Sequence, residues 1–180
     1  MRQIEAKFRV GDVEAIREAI RQLSPLSKTI GFERDTYFIH SKAPGLKDTR
    51  TFLRVRSADT GSSTAMHCRI SDYEWEEIET NVGDGDIIRA IYTNLGFVVD
   101  VEVVKQRETY VLPDAEFLLD TVEGLGTFVE IEANSKISLN KYCDYFGFRL
   151  AGEDPFAGLS YADLVRATKA IEEISEETEL

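Results

Sequence analysis

Four pairs of like-charged residues, each pair two positions apart, stand out in this sequence. Arg54 and Arg56 flank Val55, Glu77 and Glu79 flank Ile78, Lys105 and Arg107 flank Gln106, and Glu130 and Glu132 flank Ile131. In an extended strand, side chains two apart point the same way at roughly 7 Å, so each pair sets like charges side by side. Charged alternation in an antiparallel sheet is usually a solvated outer face. A face built for solubility mixes its signs, however, and four same-sign pairs on four segments do not. They suggest bases grouped to hold phosphate and acids grouped to hold a divalent metal. Glu5, Lys7 and Asp120 add to the set, and its cations and anions come close to balance. Burying that much charge is tolerable only if the signs offset one another or a ligand and metal complete the neutralisation.

The segments that must carry these charges read as strands, because apolar and polar residues alternate. MRQIEAKFRV puts Gln3, Glu5, Lys7 and Arg9 on one face and Ile4, Ala6, Phe8 and Val10 on the other. Strands are also predicted over 33–40, 50–57, 65–71 and 74–80. The long stretch from Val101 to Ala133 adds three more, separated by turns at Pro113–Asp114 and Gly124–Gly126. Asp12 caps a helix over 12–23, with Val13, Ile16, Ile20 and Leu23 as its apolar stripe and Pro25 as its stop. A second helix carries Ile87, Ile88, Ile91 and Leu95 and closes at Gly96. A third runs over 138–146, and Ser160 caps a last one ahead of an acidic, frayed tail. Residues 41–48 read as a turn-rich loop. Eight strands with one charged face predict a mainly β (α+β) fold: an eight-stranded antiparallel closed barrel, a tunnel with a polar lumen and helices packed outside.

A length of 180 residues suits one domain spanning 1–180, and 43% hydrophobic with 30% charged residues is an ordinary soluble composition. The formal net charge of −12 argues against nucleic-acid binding, which needs a basic footprint. No apolar run is long enough for a membrane span, and no leader opens the chain, so a cytoplasmic location is expected. Cys68 and Cys143 read as buried free thiols. There is no phosphate-loop motif, HExxH or CxxC, which removes the common nucleotide-loop and zinc chemistries. His40 and His67 read as strand residues with local hydrogen bonds rather than catalytic bases.

The order of these blocks resembles the CYTH family, the triphosphate tunnel metalloenzymes, which include class IV adenylyl cyclases, thiamine triphosphatases and inorganic triphosphatases. IEAKFRV is similar to the family's opening ExExK strand, ERDTYF to the strand after the first helix, and TFLRVR to the paired-arginine strand. KQRETY followed by DTVEGLGTFVEIE resembles the K-x-R, aspartate and final E-x-E strands. The resemblance implies that Arg54, Arg56, Lys105 and Arg107 bind triphosphate oxygens, with Lys105 and Lys7 as catalytic lysines. It implies that Glu5, Glu130 and Glu132 hold Mg²⁺ or Mn²⁺ with Asp120 nearby, and that Glu77 and Glu79 are further tunnel acids. The substrate would be a nucleoside, thiamine or inorganic triphosphate, and the resemblance leaves room for a homodimer.

Three departures qualify that expectation. Gln3 stands where the first ExExK acid would be, Arg69 replaces the lysine of a K-G-P segment, and Trp75 takes the place of an arginine. Arg69 would still serve as a phosphate ligand. Two functions therefore stand open at this level: a metal-dependent cyclase or triphosphatase, and a triphosphate-binding protein whose chemistry Gln3, Arg69 and Trp75 have weakened.

Overall fold

The computed structural model describes residues 2–40, 51–150 and 159–178. Eight antiparallel strands close into a barrel: β1 (Arg2–Arg9), β2 (Ser27–His40), β3 (Thr51–Ala58), β4 (Gly61–Ser71), β5 (Glu74–Val82), β6 (Phe97–Val111), β7 (Ala115–Val122) and β8 (Gly126–Ala133). Around the barrel their order is β1-β5-β4-β3-β2-β6-β7-β8. Four helices accompany them: α1 (Val13–Gln22), α2 (Gly85–Asn94), α3 (Lys136–Phe146) and α4 (Tyr161–Thr178). The predicted loop at 41–48 and the end of the tail lie outside the described residues.

Closure follows from the alternation. The apolar outer faces of β1, β6, β7 and β8 need cover, and α1 and α3 supply it. Phe8, Ile20, Phe117, Val129, Ile131, Leu139 and Tyr142 pack there into one core. Helix α1 starts where the sequence predicts, whereas α3 starts at Lys136, two residues before the predicted 138. Asp12 accepts from the Ala15 amide at 3.0 Å, and Ser135 accepts from Ser138 at 3.1 Å. Gly147 ends α3 with φ 71°, a left-handed turn that glycine takes without a steric penalty.

Three strands begin earlier than the sequence predicts, and the first is β4, at Gly61 rather than Ala65. β2 begins at Ser27 rather than Glu33, and β6 begins at Phe97 rather than Val101, because the two pair along their whole length. A register shift between Tyr37 and Phe38 absorbs the mismatch. Nothing in SKTIGF alternates cleanly, so partner pairing, not local pattern, makes it a strand. Cys143 is buried as expected, whereas Cys68 on β4 is only half-buried, since it points outward from the barrel. Among the described residues no helix is long and apolar enough to cross a membrane.

Not every helix stays outside. α4 packs on β6, and its first residue, Tyr161, enters the barrel at the end marked by the β7–β8 turn. There it joins Val101, Val103, Val122, Leu125 and Phe128 in a second core that fills this end. The opposite end, at the β3–β4 turn, carries polar residues and remains open.

Candidate functional site

Inward-facing side chains line a cavity of about 270 Å³ in the barrel. Lys7, Glu5, Arg54, Arg56, Glu77, Glu79, Lys105, Arg107, Glu130 and Glu132 all face it, as do Gln3 and Trp75. Asp120, 0% exposed, lies behind Arg107 rather than on the cavity surface. Arg69 does not line the cavity. Its guanidinium turns to Asp72 across the β4–β5 turn.

The cations are held by acids in three groups. Arg56 grips Asp35 with both arms, Nε–Oδ1 at 2.6 Å and Nη2–Oδ2 at 2.8 Å. Lys105 Nζ lies 3.4 Å from Asp35 and 3.3 Å from Glu33. Arg107 grips Asp120 in the same bidentate way, at 2.7 and 2.5 Å, and reaches Glu130 at 2.8 Å. Lys7 Nζ approaches the other oxygen of Glu130, also at 2.8 Å. Arg54 bridges Glu77 at 3.0 Å and Glu79 at 3.3 Å. Forked guanidinium–carboxylate contacts are the stronger kind of ion pair, and the same forks fit phosphate.

These surroundings set the protonation states. Burial pushes the Asp120 carboxyl up, but Arg107 and Lys105 outweigh it and hold the group at about 2. Asp35 is likewise drawn well below the carboxylate range against its burial, first by Arg56 and then by Lys105. Glu77, opposed by burial, is held at about 2 by His67 and Arg54. Lys105 is pushed down by burial and by Arg107, with Asp35 and Asp120 opposing. Burial would lower Lys7 too, but Glu130 and Glu5 raise it overall.

Glu5 and Glu132 behave in the opposite way. They sit directly opposite each other across β1 and β8. Burial and the neighbouring charges of Glu130 and Glu132 push Glu5 up to about 8. Burial, with Glu130 and Glu116 adding to it, pushes Glu132 up to about 7 despite Arg107. Among the described residues neither forms an ion pair, while Glu130 is shared between Lys7 and Arg107. Half-buried carboxylates that crowd together are the kind of oxygen ligand that a hard divalent ion prefers, though among the described residues no three such groups are already gathered around one point. Gln3 lines the same cavity from β1, opposite Trp75 on β5. Its neutral amide oxygen is a weaker ligand than a carboxylate. Trp75, 4% exposed, packs at a tilt against Phe52 at 5.5 Å where a cation would otherwise reach inward.

Some residues of this site were not anticipated. Glu33 and Asp35 are a further like-charged pair two apart, in ERDTYF, and the same spacing rule would have found them. Glu116 lies directly opposite Glu132 and lines the cavity. Inward alternation from Asp120 back through Leu118 marks it. His67 also faces the cavity, with Nε2 3.0 Å from Glu77, and burial lowers its pKa. The side chain of His40 lies outside the described residues. Tyr161 gave no signal, since an aromatic residue starting a helix reads as ordinary core.

Comparison with known proteins agrees with this geometry. The sequence profile of the CYTH domain family matches residues 1–138. A Methanocaldococcus jannaschii protein, provisionally named an adenylate cyclase, is 31% identical over 136 residues, covering 73% of this chain and 77% of its own. A Pyrococcus horikoshii protein structure superposes with a TM-score of 0.72 at 28% identity, covering 84% of this chain and 93% of that one. A Hippeastrum structure described as an adenylyl cyclase homologue with a dominant triphosphatase activity superposes with a TM-score of 0.61 over 86% of this chain and 93% of that one. At 20% identity it shows the fold alone.

Proposed function

The chain belongs to the CYTH family, and from that premise we propose that it is a divalent-metal-dependent enzyme that transfers phosphorus groups of a triphosphate held inside the barrel. One observation carries this: five cations from β1, β3 and β6 converge on a single cavity whose other wall holds two carboxylates without an ion pair. Glu5 and Glu132, with Glu130 beside them, are the residues that would hold Mg²⁺ or Mn²⁺. When bound, the ion would neutralise charge on the phosphate oxygens.

The chain's own part is to bind and orient. A triphosphate would draw Arg54 from Glu77 and Glu79 and Arg107 from Glu130, exchanging one set of charge-assisted hydrogen bonds for another, while Arg56 meets it from its seat on Asp35. Lys105, a compact point charge that lines the cavity, would meet a phosphate oxygen as charge develops. Asp35 and Asp120 keep the arginine planes fixed during that exchange. Such preorganised charges need no reorganisation at the moment of reaction.

Which bond breaks depends on the nucleophile. Water at the terminal phosphorus would displace the diphosphate portion and release orthophosphate. The ribose 3′-hydroxyl of ATP at the α-phosphorus would displace pyrophosphate and leave cyclic AMP. The polar end at the β3–β4 turn opens a second cavity of about 460 Å³, lined by Thr60, Ser62, Ser63 and Asn81 together with Glu33 and Arg56. It admits solvent and favours hydrolysis; the archaeal relative's name favours cyclisation. Gln3 and Trp75 give specific support to an alternative, a triphosphate-binding protein with slow chemistry. Incubation with ATP, thiamine triphosphate and inorganic triphosphate, with Mg²⁺ and then Mn²⁺, decides among these. Orthophosphate, cyclic AMP or unchanged substrate identifies the outcome, and unchanged substrate in every case defeats the enzyme proposal.

A further inference from the structure

We infer that Tyr161 is a positioning residue for Lys7 and Lys105, carried into the filled end of the barrel by the start of α4. Its importance for ligand binding rests on the triphosphate proposal above, but its effect on the lysines does not. Lys7 Nζ lies 4.1 Å from the centre of the Tyr161 ring and Lys105 Nζ lies 5.1 Å from it. The two lysines come from β1 and β6, which are not neighbours in the barrel, and the ring is where they meet. Phe128 packs edge-on against the same ring at 5.4 Å, and Tyr161 is 4% exposed. Two residues earlier, the Leu159 carbonyl accepts from Lys7 Nζ at 3.1 Å.

The helix start that carries the ring is well anchored. Ser160 and Asp163 cap each other, with Asp163 N to Ser160 Oγ at 3.2 Å and Ser160 N to Asp163 Oδ2 at 2.9 Å. Arg166 ties the same turn to β6 through Asp100 at 2.6 Å. The tyrosine hydroxyl lies toward Asp120, while the ring face is what the two ammonium groups meet.

A ring suits this position for a physical reason. Lysine has a flexible four-carbon stem, and fixing its ammonium costs rotamer entropy that some partner must offset. A carboxylate here would add to the acids these lysines already face, Glu130 at Lys7 and Glu33 and Asp35 at Lys105, and cancel more of the charge that they present to an anion. An aromatic face attracts a cation while adding no negative charge. Lys7 and Lys105 are therefore held in place and still directed into the cavity.

Two variants test this, Tyr161→Phe and Tyr161→Leu. The first readout is acetylation of Lys7 and Lys105 in the ligand-free protein, followed by peptide mass spectrometry. The second is affinity for inorganic triphosphate by calorimetry. Tyr161→Phe should match the parent within about twofold on both, because the ring is retained. Tyr161→Leu should label faster at both lysines and bind roughly five- to thirtyfold more weakly. If the leucine variant melts too low to assay, Tyr161→Met fills the site with an unbranched apolar chain and takes its place. Unchanged labelling and affinity in the ringless variant would make Tyr161 a plain apolar plug and overturn the inference, as would loss in the phenylalanine variant. If the parent itself does not bind triphosphate, the functional proposal fails while the labelling still decides the role of the ring.

Discussion

Replacing Glu5 with glutamine should make the metal-free protein more stable at pH 8 than its parent, by an amount that vanishes near pH 5. The folded chain raises the Glu5 carboxyl from an ordinary 4.5 to about 8. A carboxyl raised on folding is protonated in the native state where the unfolded chain has already ionised. Between pH 5 and 8 the native protein therefore binds more protons, and its stability falls as pH rises. A shift of this size amounts to on the order of 3–5 kcal/mol across the window, an upper figure because Glu5 and Glu132 titrate as a pair. His67, lowered by burial, contributes the opposite slope below its ordinary 6.5. Asp35 and Asp120 titrate below the window. The difference between variant and parent isolates Glu5, since the other groups are common to both. Urea unfolding in chelator at half-unit steps from pH 5 to 8 measures it. The expected difference grows toward pH 8, and Mn²⁺ should stabilise the parent more than the variant. A difference that is flat with pH, or a variant less stable at pH 8, would mean that Glu5 is not crowded by uncompensated charge.

Three further outcomes follow from the same geometry. Asp35→Asn leaves Arg56 and Lys105 in a buried site with Glu33 as the acid they share, and should destabilise the fold by about 3–5 kcal/mol, read from denaturant midpoints; a loss below about 1 kcal/mol would mean that Glu33 or water compensates the pair. Gln3→Glu should raise turnover most at low metal concentration and steepen the metal dependence, and equal rates at every concentration would place Gln3 outside the metal site. In the natural sequence Mn²⁺ should support faster turnover than Mg²⁺, which demands near-ideal octahedral geometry, so a faster rate with Mg²⁺ would count against a depleted ligand set.

Much of this was legible because strand alternation is a strict rule. Once 54 and 56, or 130 and 132, share a face, closing the barrel sends that face either to solvent or to the lumen, and like-sign pairing points to the lumen. The same rule applied to Glu33 and Asp35 would have completed the picture. What pattern could not give was the partner of each charge. Bidentate seats for Arg56 on Asp35 and for Arg107 on Asp120 depend on the register between strands, not on order along the chain. They also change an expectation. The arginines read as cations crowded together, whose loss relieves repulsion. In the structure, deleting Arg56 or Arg107 would instead take the bidentate partner from a buried aspartate and leave it with Lys105 alone, so those positions report on folding as well as on binding. The long β2–β6 ladder and the entry of Tyr161 into the barrel are likewise tertiary effects, with no local signature. Arg69 was carried forward by motif position alone, and the irregular register near the β4–β5 turn points it elsewhere.

Arg54 is the cleanest place to test whether the barrel grips a triphosphate, because its acids Glu77 and Glu79 have other partners in His67 and Ser63. Calorimetric titration of inorganic triphosphate into parent and Arg54→Ala, with Mn²⁺ present and melting curves matched, measures the grip directly. Loss of a charge-assisted contact is worth about 1.5–3 kcal/mol, so affinity should fall roughly ten- to hundredfold. Equal affinity in the two proteins, or no binding to the parent, would contradict a triphosphate site in this barrel.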